Sequence, residues 1–167
     1  WLIGVAFMAA WLAWRQWLFQ RGLGTLQPID PQARLWRAES TLGLPALVGL
    51  WRPRIVLPVD VEQRYSGVQQ ELLKLHEQEH LRRGDMPANA LVAGLRAVFW
   101  FNPLLHYAAS RFRHDQELAC DARVAATRPD ALSAYAEAMV KAGTPSPGVP
   151  LGCHWGDTHP LKERIMQ

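Results

Sequence analysis

The sequence predicts an α+β fold in which helices predominate, and three observations carry that expectation. Two short β-rich pieces, 46–51 and 54–57, flank Pro53 and hold the strongest strand signals in the chain. The stretches after them repeat apolar residues at helical spacing, between residues that start and stop helices. The first 14 residues hold no charge at all. With 167 residues, 49% of them apolar, the chain suffices for one domain with a core and is short for two. Eight tryptophans argue against disorder.

The uncharged run from Trp1 to Trp14 continues, after Arg15, through Trp17, Leu18 and Phe19 to Arg21. A spanning helix needs about 20 apolar residues. Trp11, Trp14 and Trp17, with Arg15 and Arg21 just beyond, resemble the interfacial end of a span. The start at Trp1 reads as a cut from a longer protein. A buried core helix and the apolar part of a signal peptide are the competing readings. Arg15 and Arg21 would hold the rest of the chain on the cytoplasmic side of the cell membrane. The expected division is a truncated transmembrane or interfacial helix at 1–21, the main domain at 28–143, and a loop and last helix of that domain at 144–167.

Asp30-Pro31 reads as a helix start, with Leu35, Ala38 and Leu42 at helical spacing and Gly43 as the stop. Pro53 excludes a central strand, so 46–51 and 54–57 make a hairpin or an edge pair. Ser66 and Gln69 form a capping box for a helix that carries Leu72, Leu73 and Leu75 and ends near Gly84. Asp85 caps the next helix. Residues 88–109 are largely apolar, broken by Arg96 and by Asn102-Pro103. They form a core helix or lie against a bilayer, and Arg96 argues against a clean span. A helix from about Leu104 to Ala126 and an alanine-rich one over 131–142 come next, with Pro129-Asp130 between them. Residues 144–152 are a loop by composition, and Thr158 caps a last short helix.

Composition narrows the function. Cys120 and Cys153 form no Cys-x-x-Cys pair, which excludes a disulfide scaffold and a thiolate zinc finger. A net charge of +3 without a long basic run does not call for nucleic acid, and none is expected as a partner. The informative stretch is His76-Glu77-Gln78-Glu79-His80. On a helix it sets two imidazoles one turn apart on one face, where they can bind one zinc ion. Glu77 can then reach a water on that ion without binding it, and act as general base. A catalytic zinc has three protein ligands and one open position. Glu117 can be the third ligand. Asp121, four residues on, can accept the outer N–H of one zinc histidine. Taken alone, these two carboxylates read by default as a solvated face paired with Arg113 or Arg123, and it is the upstream histidine pair that turns the reading to a metal site.

Glu79 is expected in an exposed ion pair with Arg83, His106 and His114 at the surface or an interface, and Cys120 as a small buried residue. A zinc peptidase also needs a group for the oxyanion. His154, His159 and Arg164 are the candidates, each also readable as structural. The main expectation is a membrane-embedded zinc endopeptidase with a protein or peptide substrate and membrane lipid as partners. Its rivals are a non-catalytic signalling or scaffold module held together by zinc, and a metal-free helical interaction domain.

The blocks PALVGLWRPRIVLP, HEQEHLRRGD and FWFNPLLHYAASRFRHDQELACDARV, in that order, resemble the BlaR/MecR-type membrane metallopeptidases, integral-membrane gluzincins. The likeness runs from about Pro45 to Val124, with a weaker echo in HPLKERI. It implies a zincin-like domain among transmembrane helices, facing the cytoplasm. It implies His76, His80 and Glu117 as zinc ligands, Glu77 as catalytic base and Asp121 as their support. It places the PALVGLWRPRIVLP strands beside the active-site helix, where an extended substrate adds as another strand. Signalling members cut themselves and a transcriptional repressor.

Overall fold

The computed structural model describes residues 1–142 and the backbone of Cys153 and His154. Helix α1, Leu2–Gly22, leads into strands β1 (Gln27–Asp30), β2 (Leu35–Arg37), β3 (Ala46–Val48) and β4 (Arg54–Leu57). A single turn, α2 (Val61–Arg64), precedes α3 (Gly67–Arg83), α4 (Asp85–Val98) and α5 (Pro103–Thr127). After a 3-10 turn at Pro129–Ala131 comes α6 (Leu132–Ala142), and β5 is Cys153–His154. The fold is predominantly helical with one small sheet. The residues of the expected 144–152 loop, Thr158, His159 and Arg164 lie outside the described part.

The sheet has the order β1-β2-β4-β3-β5. β3 and β4 pair antiparallel around the turn that holds Pro53, as the hairpin reading expects. β2 pairs parallel with β4, and β5 antiparallel with β3, so β4 is an inner strand rather than an edge. Pro53 precedes β4, where no ladder donor is required. Leu47, Ile55 and Leu57 face Leu72, Leu73, Met86 and Val124, while Ala46, Val48 and Val56 share a second cluster with Leu23 and Leu44. With both faces covered, the hairpin alternates between two cores.

The helix expected from Asp30 to Gly43 is not formed. Asp30 Oδ1 accepts hydrogen bonds from the backbone of Gln32 and Ala33, which makes a turn instead of a helix cap. Arg34 has a φ of 56°, which breaks helical continuity. β2 then finds its backbone partners on β4. Pairing between distant segments thus overrides local spacing.

The capping box is present in both directions: Gln69 N donates to Ser66 Oγ, and Ser66 N donates to Gln69 Oε1. α3 stops at Gly84, whose φ of 73° is left-handed and suits glycine. α3 packs against α5, α6 and the hairpin, and so lies at the centre of the domain. α1 packs against α4 and keeps only Leu12 buried. By length and composition it is long and apolar enough to cross a membrane.

Candidate metal centre

The helical spacing of His76 and His80 brings both rings to one point inside the domain, where both are essentially buried. Their Nε2 atoms lie 3.1 Å apart. Glu117 enters from α5 with one oxygen on each ring: Oε2 is 3.4 Å from His76 Nε2 and Oε1 is 3.3 Å from His80 Nε2. Three donors held about 2.0–2.1 Å from one tetrahedral ion would be separated by about 3.3 Å. The two Nε2 atoms and the Glu117 carboxylate form a triangle with edges of that size, its two Glu117 edges ending on different oxygens of the one carboxylate.

The opposite side of each ring is also occupied. His80 Nδ1 donates to Asp85 Oδ2 at 2.7 Å. His76 Nδ1 meets Tyr135 Oη at 2.8 Å and Asp121 Oδ1 at 3.2 Å, and Tyr135 Oη donates to the same Asp121 oxygen at 2.7 Å. With protons on the Nδ1 atoms, both Nε2 lone pairs and a carboxylate converge. Such donors repel one another unless a cation or a proton lies among them. The donor set therefore fits a divalent metal.

Charge follows the same geometry. Burial disfavours a charged His76 ring, but hydrogen bonding to Asp121 and Glu117 outweighs it and raises the pKa above 6.5. Burial likewise opposes ionisation of Glu117, and the two histidines overcome it, holding the carboxyl well below its usual range.

Cys120 is fully buried, as expected. Its Sγ is 3.4 Å from His80 Nδ1, and His76, His80 and Cys120 form a group with ligand atoms within 4.8 Å of one another. The sulfur thus approaches the nitrogen that Asp85 already engages, whereas Glu117 meets Nε2 of both rings. Burial also raises the Cys120 pKa.

Glu77 is fully buried beside this triangle on α3. Two expectations need correction. Glu79 is only 7% exposed and pairs with Arg82 rather than Arg83, with Arg82 Nε donating at 2.9 Å. Position 83 instead turns toward Asp85, because Gly84 reverses the chain immediately after it. His114 is buried, because α5 turns this position inward along with Gln116 and Glu117. His106 is half-buried and bridges Arg96 and the Trp100 carbonyl. Of the three oxyanion candidates, only the backbone of His154 is described, in β5 next to Ala46 of β3.

Asp85 and Tyr135 were not among the expected site residues. Asp85 reads in the sequence as a helix cap, but Gly84 occupies the cap position and the Asp85 carboxylate turns back to His80. Such outer carboxylates fix ring orientation, and their loss costs roughly 10–100-fold in metal affinity. Asp85→Ala is expected to weaken metal binding by that factor, read by competition with a chromophoric chelator. Unchanged affinity would show that His80 needs no such support.

Comparison with known protein families matches residues 1–167 to the family described as BlaR1 peptidase M56. The chain belongs to that family. Among curated proteins it is similar to the regulatory protein BlaR1 of Bacillus licheniformis, 35% identical over 98 residues, which are 58% of this chain and 16% of that protein. It is also similar to the methicillin resistance mecR1 protein of Staphylococcus aureus, 33% identical over 86 residues, 52% of this chain and 15% of that one. The chain thus spans only about a sixth of these relatives, by the 16% and 15% covered. The family it belongs to is described as a peptidase family, and the buried histidine cluster is the candidate metal centre of this member.

Proposed function

We propose that the chain is the catalytic part of a membrane-embedded zinc endopeptidase in signal transduction, which cuts itself or a cytoplasmic regulator such as a transcriptional repressor. The observation that carries this reading is the triangle of His76, His80 and Glu117 with Glu77 buried beside it. His76, His80 and Glu117 would hold the ion, and Asp85, Asp121 and Tyr135 would orient the two rings. When bound, zinc supplies Lewis acidity toward a peptide carbonyl and lowers the pKa of water toward 7. Glu77 takes the proton from the attacking water at its carboxylate and gives it to the leaving amine. The surrounding core excludes bulk water from that transfer.

Two further features support the reading. β5 of the same chain lies antiparallel on β3, so this edge accepts an extended segment beside α3. Arg15 and Arg21 lie toward the C-terminal end of α1, which favours a cytoplasmic position for the domain beyond it.

The test measures metal content and turnover on the same purified protein. One zinc per chain with cleavage of an added protein, or of the chain itself, is the expected result. One zinc with no turnover on any protein would replace the peptidase by a zinc-held scaffold.

A further inference from the structure

The turn between α4 and α5 is crowded with exposed apolar side chains. Phe99, Trp100, Phe101 and Leu104 are 43%, 39%, 57% and 75% exposed, and Leu91 and Leu95 extend the patch along α4. Contiguous apolar surface of this kind marks a contact with something other than water.

Its position relative to α1 suggests what that is. α4 runs back along α1. The Trp100 ring lies so close to Gly4 that a Cβ there would sit 2.2 Å from it, and Gly94 and Ala97 face Ala9 and Ala13 further along. Gly4 is 11 residues before Arg15, about 16 Å along the helix, and half the hydrocarbon core of a bilayer is about 15 Å. Trp100 therefore lies about one leaflet deeper than Arg15. Arg15 and Arg113 both act electrostatically on Arg96, whose Nε is held by His106 on the side of the turn.

The turn is also built to do without water. Asn102 N donates to Phe99 O at 2.9 Å, and Asn102 Oδ1 accepts from Leu104 N at 3.0 Å and from Leu105 N at 3.4 Å. His106 Nε2 donates to Trp100 O at 2.9 Å, while its Nδ1 accepts from Arg96 Nε at 3.2 Å. Internal pairing of this kind is what lipid demands of a backbone turn.

We propose that the α4–α5 turn is a re-entrant hairpin, inserted among the acyl chains of the leaflet that holds the C-terminal half of α1. The proposal rests on the placement of α1 in a membrane. α5 carries Glu117 15 residues beyond Asn102, about 22 Å. The metal centre then hangs just below the headgroups, and segments near the membrane surface are those within its reach.

The test reconstitutes the whole protein into vesicles of phosphatidylcholine with a minority of phosphatidylglycerol. A trace of phosphatidylcholine carrying a diazirine at the end of its acyl chain is included. After photolysis, adducts mapped by mass spectrometry are expected on α1 and on residues 99–104 at comparable yield. Trp51, 91% exposed beside the sheet, is expected to carry none. Adducts on α1 with none on 99–104 would overturn the hairpin and leave the membrane span standing. No adducts on α1 would overturn the span and the hairpin together. In a second arm, benzoylphenylalanine replaces Phe101. Lipid adducts support insertion, and chain–chain dimers in their place would overturn it in favour of a second copy of the protein.

Discussion

Glu77→Gln is expected to keep its zinc and lose its cleavage. The amide has the shape of the carboxylate, and Glu77 is not one of the three side chains that form the donor triangle. Metal content and thermal stability are therefore expected to stay near those of the parent protein. The amide cannot take a proton from water, and a positioned general base contributes roughly 10²–10⁴-fold to rate. Turnover should fall by at least that factor, read as initial rates on a common substrate with zinc measured on the same sample. Full turnover by the zinc-loaded variant would remove Glu77 from the mechanism. Loss of zinc along with turnover would instead place Glu77 among the groups that build the site.

The halves of this site differ in how legible they are from sequence. His76, Glu77 and His80 lie within one helical turn, and the capping box at Ser66 and the glycine stop at Gly84 both point to that helix. Glu117 and Asp121 repeat the four-residue spacing, so their shared face can be read as well. That this face meets α3 is a tertiary fact, since 40 positions separate Glu117 from Glu77. Asp85 is visible only as a cap, because its role depends on the left-handed Gly84 turning the chain back under His80. Tyr135 leaves no signal, being an aromatic at an ordinary core position of α6 whose hydroxyl happens to reach His76 and Asp121.

The strands show the same division. The hairpin is readable because its turn is local. β2 is hidden because Leu35, Ala38 and Leu42 fit a helix, and only pairing with β4, far along the chain, decides otherwise. Residues 88–109 are ambiguous in sequence because an apolar helix reads alike in a core and against lipid. The exposure of Leu91, Leu95 and Phe101 takes those side chains out of the core, and exposure has no local sequence code.

Stripping the metal is expected to cost stability as well as activity, and to cost more at about pH 8 than at about pH 5.5. In the metal-free site, the raised pKa of His76 contributes stability fully below 6.5, lost as pH rises through the folded value. The lowered pKa of Glu117 contributes stability above 4.5, lost as pH falls through the folded value. The metal-free protein is thus helped most between 4.5 and 6.5, where a protonated ring pairs with an ionised carboxylate. Zinc needs neutral rings, so protons compete with it below the raised His76 pKa and its affinity weakens as pH falls. At a thousandfold excess over its dissociation constant a ligand stabilises by about 4 kcal/mol, so the gap is large enough to resolve. Thermal unfolding in detergent, with zinc or with a chelator, should show melting temperatures that diverge as pH rises. A gap that stays flat or narrows would mean that the buried histidines are not the groups the metal binds, because proton competition at those rings is what makes the gap widen.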